Sequence, residues 1–358
     1  MANRHGTLRW LNAHALIAHL VILLVCAGTS IAGEGGTGEP VTAPLSGTST
    51  ASGSMDADPT EKKTSNTFDE THDNFERDIL ERVIRIDNFF GNVNTGTQQK
   101  TGYQLRWRNS LRQDEGGKTT LGTSLWANLR LSRASERLRL VLSGEKDTDP
   151  LSSSLPQDPG NPGFDRNSPS MRVVNTELRY SLIDTSAMDM FLGAGVRLRI
   201  PMEAFLRTRF QYTYKIDDSS QLRFAETLFI KNSDRLGETT EVYLERLIDK
   251  KTLVRWANSG TYSHEIKGLE WGSELSLIRE LSPRSGITLT GGGYGNTNIY
   301  DGVGNYRTLV RYRRNFLRRW LFYEVEPEVL WQRRADGNFS SNAALTFRLE
   351  IMFQGKEK

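Results

Sequence analysis

Cysteine is almost missing from this 358-residue chain: Cys26, in an apolar stretch near the start, is the only one. Beyond that stretch there is no disulfide framework and no thiol chemistry. Histidine is nearly as scarce, and after residue 32 only His72 and His264 remain. Two histidines so far apart in sequence, with no cysteine nearby, exclude the usual metal-ligand clusters, and no cofactor is expected. No segment after the first 32 residues approaches the roughly 20 consecutive apolar residues of a membrane-crossing helix. An excess of one charge is lacking too. Without Arg4 and Arg9 the 46 basic residues become 44, against 43 acidic ones. Nucleic acid is therefore not an expected partner, because counterion release needs a clustered basic excess.

What is present begins with a targeting pattern. Arg4 and Arg9 precede an apolar core from Ala15 to Gly28, and Ser30-Ile31-Ala32 is a small-x-small site. Residues 1–32 read as a cleavable secretory signal. Val25 stands where a lipidation box before Cys26 would need a small side chain. Residues 33–74 are rich in Gly, Ser, Thr and Pro with hardly any large apolar side chain. Such a stretch cannot offset its chain entropy by burial and is expected to be a disordered tether. Between residues 75 and 91, Phe75, Ile79, Val83, Ile86 and Phe90 recur at helical spacing. This predicts an amphipathic helix, lying on the rim of whatever follows or entering it as a plug.

From Thr101 onward the pattern changes to period two. Tyr103, Leu105, Trp107 and Leu111 oppose Arg106, Arg108 and Arg112, and similar rows follow to the end of the chain. The last two rows are the longest. Leu321, Tyr323, Val325, Val329 and Trp331 oppose Phe322, Glu324, Glu326 and Glu328; then Leu345, Phe347, Leu349, Ile351 and Phe353 oppose Thr346, Arg348 and Glu350. Half-apolar alternation of this kind is that of antiparallel strands. The count is about fourteen, with about twelve possible, and merging the pair around Pro201 would reduce it. One strand, Gln221 to Lys231, breaks the pattern by sending Glu226 outward with Leu222, Phe224, Leu228 and Ile230, which predicts a bulge that re-aims the carboxylate.

Alternation serves equally for a soluble sandwich and for a membrane barrel. Three features favour the barrel: the export signal, the aromatic residues near strand ends (Trp107, Tyr180, Tyr214, Trp271, Tyr306, Tyr323, Trp331), and short turns on one side with longer loops on the other. The terminal row Leu345-Phe347-Leu349-Ile351-Phe353 also resembles the assembly signal of Gram-negative outer-membrane β-barrels. From Tyr312 to Glu328 the chain is similar to a group of uncharacterised proteobacterial outer-membrane proteins with a basic turn before an acidic strand. That resemblance implies a transmembrane up-and-down β-barrel over about residues 102–353, porin-like, in the outer membrane. Its partners would be outer-membrane lipid and the barrel-assembly machinery. Residues 354–358 depart from the family signal, which ends on the aromatic residue.

With apolar rows facing lipid, the opposite rows face the interior. They carry Arg106, Arg108, Arg130, Arg139, Arg179, Arg197, Arg199, Arg207, Arg209, Arg307, Arg311 and Arg348, with acids at Glu270, Glu274, Glu324, Glu326, Glu328 and Glu350. Barrels of about eight strands are filled by side chains and those of about 16 to 18 hold water, so about fourteen lies between. The expected function is passive diffusion of small hydrophilic, preferably anionic, solutes. The alternative is a closed structural or interaction barrel whose Arg and Glu rows pair across the interior. An enzyme is not expected: Ser259, Ser263 and His264 superficially suggest a barrel lipid hydrolase, but read as neighbours in one loop they lack an oriented base. The run Gly291-Gly292-Gly293-Tyr294-Gly295 lacks the Lys-Ser/Thr of a phosphate loop and predicts bending or close approach from inside.

Overall fold

A computed structural model of the chain describes residues 81–87, 89–90, 103–131, 135–144, 174–198, 202–232, 235–264, 266 and 268–355. The signal and tether expected over residues 1–74, with Phe75 and Ile79, lie outside the described residues, as does Arg199. Fourteen strands form one sheet. They are β1 (Tyr103–Asp114), β2 (Thr119–Arg130), β3 (Leu138–Ser143), β4 (Val174–Asp184), β5 (Met188–Leu198), β6 (Glu203–Lys215) and β7 (Ser220–Lys231). The second half holds β8 (Arg235–Asp249), β9 (Thr252–Ser263), β10 (Gly268–Ser282), β11 (Ser285–Asn296), β12 (Asn305–Asn315), β13 (Leu321–Arg333) and β14 (Phe339–Gly355). Each strand pairs antiparallel with its sequence neighbours, and β1 pairs with β14 to close the barrel. The pair around Pro201 stays separate as β5 and β6.

The alternation seen in the sequence becomes an inside-out protein. Leu121, Leu178, Leu206, Leu228, Leu275 and Phe347 are exposed on the outer surface, while Arg313, Glu324, Glu350, Glu241 and Glu245 are buried. Charge inside and Leu outside is stable only where the outside is hydrocarbon, so this is a transmembrane barrel. A strand of about twelve residues tilted near 40° rises roughly 30 Å, enough to cross a bilayer core.

Three differences from the expected strands have physical reasons. Strand β7 carries no bulge: its register with β6 and β8 runs unbroken from Gln221 to Lys231. Glu226 stays on the outer row because Thr240 Oγ1, on the neighbouring strand, donates to its Oε2 at 2.7 Å. Re-aiming is unnecessary when a donor lies directly across. Register shifts occur instead between Ser181 and Ile183, Leu247 and Asp249, and Glu280 and Ser282, beside the turns. Second, β14 runs past Phe353, and Gln354 and Gly355 pair with Gln104 and Tyr103 to complete the seam. Third, the loops on the side away from this seam's chain ends are shorter than expected, since β8 and β10 each reach 15 residues. The long connections on that side are 144–173 and 297–304.

The end of the barrel where β1 begins and β14 finishes is the terminal end. Its turns are locally capped. In the β6–β7 turn the Asp217 carboxylate accepts the Ser219 N–H at 2.7 Å and its hydroxyl at 2.8 Å, which hold the acid below its ordinary pKa.

Helical residues 81–87 and 89–90 (α1) enter this end of the barrel. Val83, Ile86 and Phe90 pack on Leu253 and Ile278 of the inner wall, with Phe89 and Leu247 beside them. Asp87, which the periodicity did not single out, pairs with Arg255 at 2.7 Å, both buried. Gly286 makes this seat fit: a Cβ there would lie 2.6 Å from the Phe90 ring.

Candidate functional site

The inner wall of the barrel carries two groups of ion pairs. The first spans β12, β13, β14 and β1, whose inward rows lie side by side by register: Arg313 is level with Glu324, which is level with Arg348, and Glu350 is level with Arg108. Each Glu of β13 therefore meets arginines from both flanks. Arg313 pairs with Glu324 and, at 2.6 Å, with Glu350. Arg348 reaches Glu324 at 3.4 Å and Glu326 at 2.8 Å. Arg311 meets Glu326 at 2.6 Å, Arg307 meets Glu328 at 2.8 Å, and Arg108 meets Glu350 at 2.8 Å. Arg112 reaches Glu328 at 2.7 Å. Six arginines thus share four glutamates.

The second group is spread over β4 to β9. Glu177 binds Arg207 at 2.7 Å and Arg179 at 3.0 Å, and Arg197 meets Glu203 at 3.4 Å. Arg209 meets Glu241 at 2.6 Å. Glu245 accepts from Gln221, Arg223 and Arg255 at 2.6, 3.0 and 2.6 Å. Rings cover several of these cations: Phe191 lies against Arg179 and Arg207, and Tyr243 lies 4.4 Å from Arg223. Gly193 leaves room for the carboxylate, since a Cβ there would overlap Glu177.

The remaining residues expected inside are more peripheral. Arg106 is buried, 4.9 Å from the Trp126 ring. Arg130 and Arg139 sit near the terminal end, with Glu136 at 3.9 Å and Asp184 at 3.7 Å. Glu274 accepts a hydrogen bond from the Tyr294 hydroxyl, and Glu270 is half-buried. The Gly run contributes close approach at Gly292, where a Cβ would lie 2.8 Å from Glu274 Cγ. Glu177, Glu203, Glu241, Glu245, Arg223, Arg255 and Arg313 belong to the ion pairs but not to the expected set. Part of the signal for the acids was available: all four stand on inward rows, and Glu203 and Glu245 are level with Arg197 and Arg255 of the next strand once register is known, whereas Glu177 and Glu241 find Arg207 and Arg209 two strands away.

Charge balance alone would suggest a neutral wall, but accessibility is unequal within the pairs. Arg311 keeps 26% of its side chain exposed against 1% for Glu326, and Arg108 keeps 22% against 0% for Glu350. Arg112 and Arg348 keep 18% and 17%, against 1% for Glu328 and 2% for Glu324. The carboxylates lie at the foot of the wall and the guanidinium groups form its surface.

Ser259 and Ser263 are in β9, not in a loop as the sequence suggested, because β9 extends to Ser263. Ser263 is buried and accepts the Ile266 N–H, while His264 is exposed beyond the strand, so the two do not face each other. Among the described residues no group of three His, Cys, Asp or Glu side chains could hold a metal ion.

No protein-family model and no curated protein matches the chain. Solved structures similar to it include the KdgM porin in complex with disordered oligogalacturonate, at 8% identity and TM-score 0.35 over 70% of this chain and 99% of that one. The CymD monoaromatic hydrocarbon channel is similar at 7% identity and TM-score 0.43 over 75% and 93% of the two chains. Pseudomonas aeruginosa OprD is similar at 9% identity and TM-score 0.40 over 71% and 95%. The likeness is one of barrel architecture at low identity.

Proposed function

We propose that the chain is an outer-membrane channel for small hydrophilic solutes, preferentially anions, with the terminal end in the periplasm and α1 narrowing that mouth. The observation that carries the reading is the unequal exposure within the β12–β1 ion pairs. A solute moving along this wall meets Arg108, Arg112, Arg311 and Arg348, whose acidic partners lie beneath them. Fixed cations at a water-exposed wall favour anions, and with the paired carboxylates covered, the groups a solute touches are the cations. The apolar outer rows and the charged interior support the membrane location.

A second reading, a closed structural barrel, is favoured by the seat of α1 on Leu253 and Ile278. Planar-bilayer recording of the full chain separates the two. The channel reading expects ion conductance with a reversal potential, under a salt gradient, on the anion side. R311Q/R348Q should move that potential toward the cation side, whereas R207Q/R209Q, whose side chains lie deeper, should leave it unchanged. Absence of conductance, both in the full chain and after removal of residues 33–95, would establish the closed barrel instead.

A further inference from the structure

The inner arginines are paired, but a second set of cations on the outside is not. Arg246 on β8, Arg279 on β10 and Arg314 on β12 all face outward near the terminal end and are exposed. None of the three makes an ion pair among the described residues. The register places Arg246 level, through Val254, with Leu277, and Arg279 two residues beyond; Arg279 is level, through Ile287, with Tyr312, and Arg314 is two residues beyond. A regular step toward the terminal end is what tilted strands need to hold side chains at one height. The three guanidinium groups therefore lie on one arc.

Aromatic rings mark the same level. Tyr312 lies 6.0 Å from Tyr323, Phe316 lies 5.4 Å from Tyr323, and Trp320 stacks on Phe353 at 6.0 Å. Such a girdle identifies the boundary between hydrocarbon and headgroups. The adjoining turns add exposed Arg284, Arg318 and Arg319. The acids in this sector make no ion pair with them: Asp249 accepts the Lys251 N–H and the Thr252 hydroxyl of its own turn and only feels the charge of Arg279 from a distance, and Glu280 stands on the opposite row. Two cations elsewhere on this rim do have acidic partners, Lys215 with Asp218 at 3.0 Å and Arg139 with Asp184 at 3.7 Å.

We propose that the outward arc Arg246–Arg279–Arg314 binds the phosphates of anionic glycerophospholipids in the leaflet around the terminal end. Resting on the membrane reading above, this assigns the sector of β8 to β13 a lipid ligand that the interior does not need. An exposed guanidinium at headgroup depth has no protein acceptor, and a phosphodiester presents oxygens in the geometry its fork matches.

The full chain, refolded into phosphatidylcholine nanodiscs containing a minor fraction of phosphatidylglycerol, tests this by native mass spectrometry of the retained lipid. Phosphatidylglycerol should be enriched over its bulk fraction. R246Q/R279Q/R314Q should lower that enrichment roughly tenfold or more, and R137Q, on another sector of the rim, should not. A compact, heat-modifiable band shows that each variant is folded. A folded barrel with no enrichment, or with equal enrichment in the triple variant, overturns the lipid site and leaves the channel reading intact. Enrichment that inorganic phosphate lowers more than sodium chloride of equal ionic strength supports phosphate recognition; enrichment that both salts abolish equally overturns it in favour of nonspecific charge attraction. A chain that enters no bilayer overturns the membrane reading and this site with it.

Discussion

The two halves of the inner wall hold similar charges in different ways. From β12 to β1, three glutamates on one strand and a fourth on the next are shared by arginines from both sides, so most cations touch two acids or share one. From β4 to β9 the acids are dispersed, and each holds its own arginines beneath aromatic rings. The shared arrangement leaves four guanidinium groups, those of Arg108, Arg112, Arg311 and Arg348, at the water surface and covers Arg313; the dispersed one covers all but Arg179, with Arg223 at 2% exposure. Acids clustered on one strand thus go with the more accessible face, and dispersed acids, some of them also shared, as Glu245 is by Arg223 and Arg255, with the more packed one. A solute path and a rigid support can be built from the same two residue types by changing only their spacing along the strands.

The largest effect that tests this contrast should come from Glu245. In E245Q, Arg223, only 2% exposed, loses the carboxylate that pairs with it, and a buried uncompensated charge costs about 3–5 kcal/mol. E350Q removes an acid of equal burial, yet Arg313 retains Glu324 and Arg108 is open to water. Its cost should be nearer 1–2 kcal/mol, the range of a charged hydrogen bond. Urea unfolding in lipid vesicles measures both. Equal losses would mean that sharing confers no redundancy.

Between the two groups, α1 is seated on β9 to β11 with Phe89 against Phe322 of β13, and G286V tests whether that seat closes the mouth. Its side chain would displace the Phe90 ring from the wall. Burial of Val83, Ile86 and Phe90 stabilises the seat by about 1.5–3 kcal/mol per side chain, so losing part of it should open the mouth severalfold more often. Single-channel recording would show longer open times in G286V with unchanged anion preference, because the substitution adds no charge and removes none of the exposed arginines. Unchanged gating would mean that α1 rests there without obstructing flow.

Most of the strands could be read from the sequence because a barrel wall obeys one rule, period two, with every other residue facing hydrocarbon. The β12–β1 pairs were partly legible for the same reason: Glu324, Glu326 and Glu328 stand in one row beside Arg348. The β4–β9 pairs were not, since Glu177 with Arg207 joins residues 30 apart and two strands away, which depends on register. Glu226 shows the limit from the other side. Its place on the outer row contradicts the one-residue rule, and the hydroxyl of Thr240 that permits it lies on a different strand. Asp87 was invisible because a single acid on an amphipathic helix looks like an exposed one until the wall it meets is known.

The smallest predicted effect isolates burial from charge count. Lys215 and Asp218 pair at 3.0 Å in the β6–β7 turn, at the edge of the packed half, but Asp218 is 71% exposed. Water competes for both groups, and the pair should contribute less than about 1 kcal/mol. D218N should therefore shift the urea midpoint barely at all, although it deletes a carboxylate just as E245Q does. If D218N were as costly as E350Q, the contrast between the halves would reflect the number of pairs and not their depth. If it is silent, as expected, the ranking E245Q, E350Q, D218N follows the loss of water around the cation left behind, which is the same variable that leaves Arg311 and Arg348 available to a passing anion.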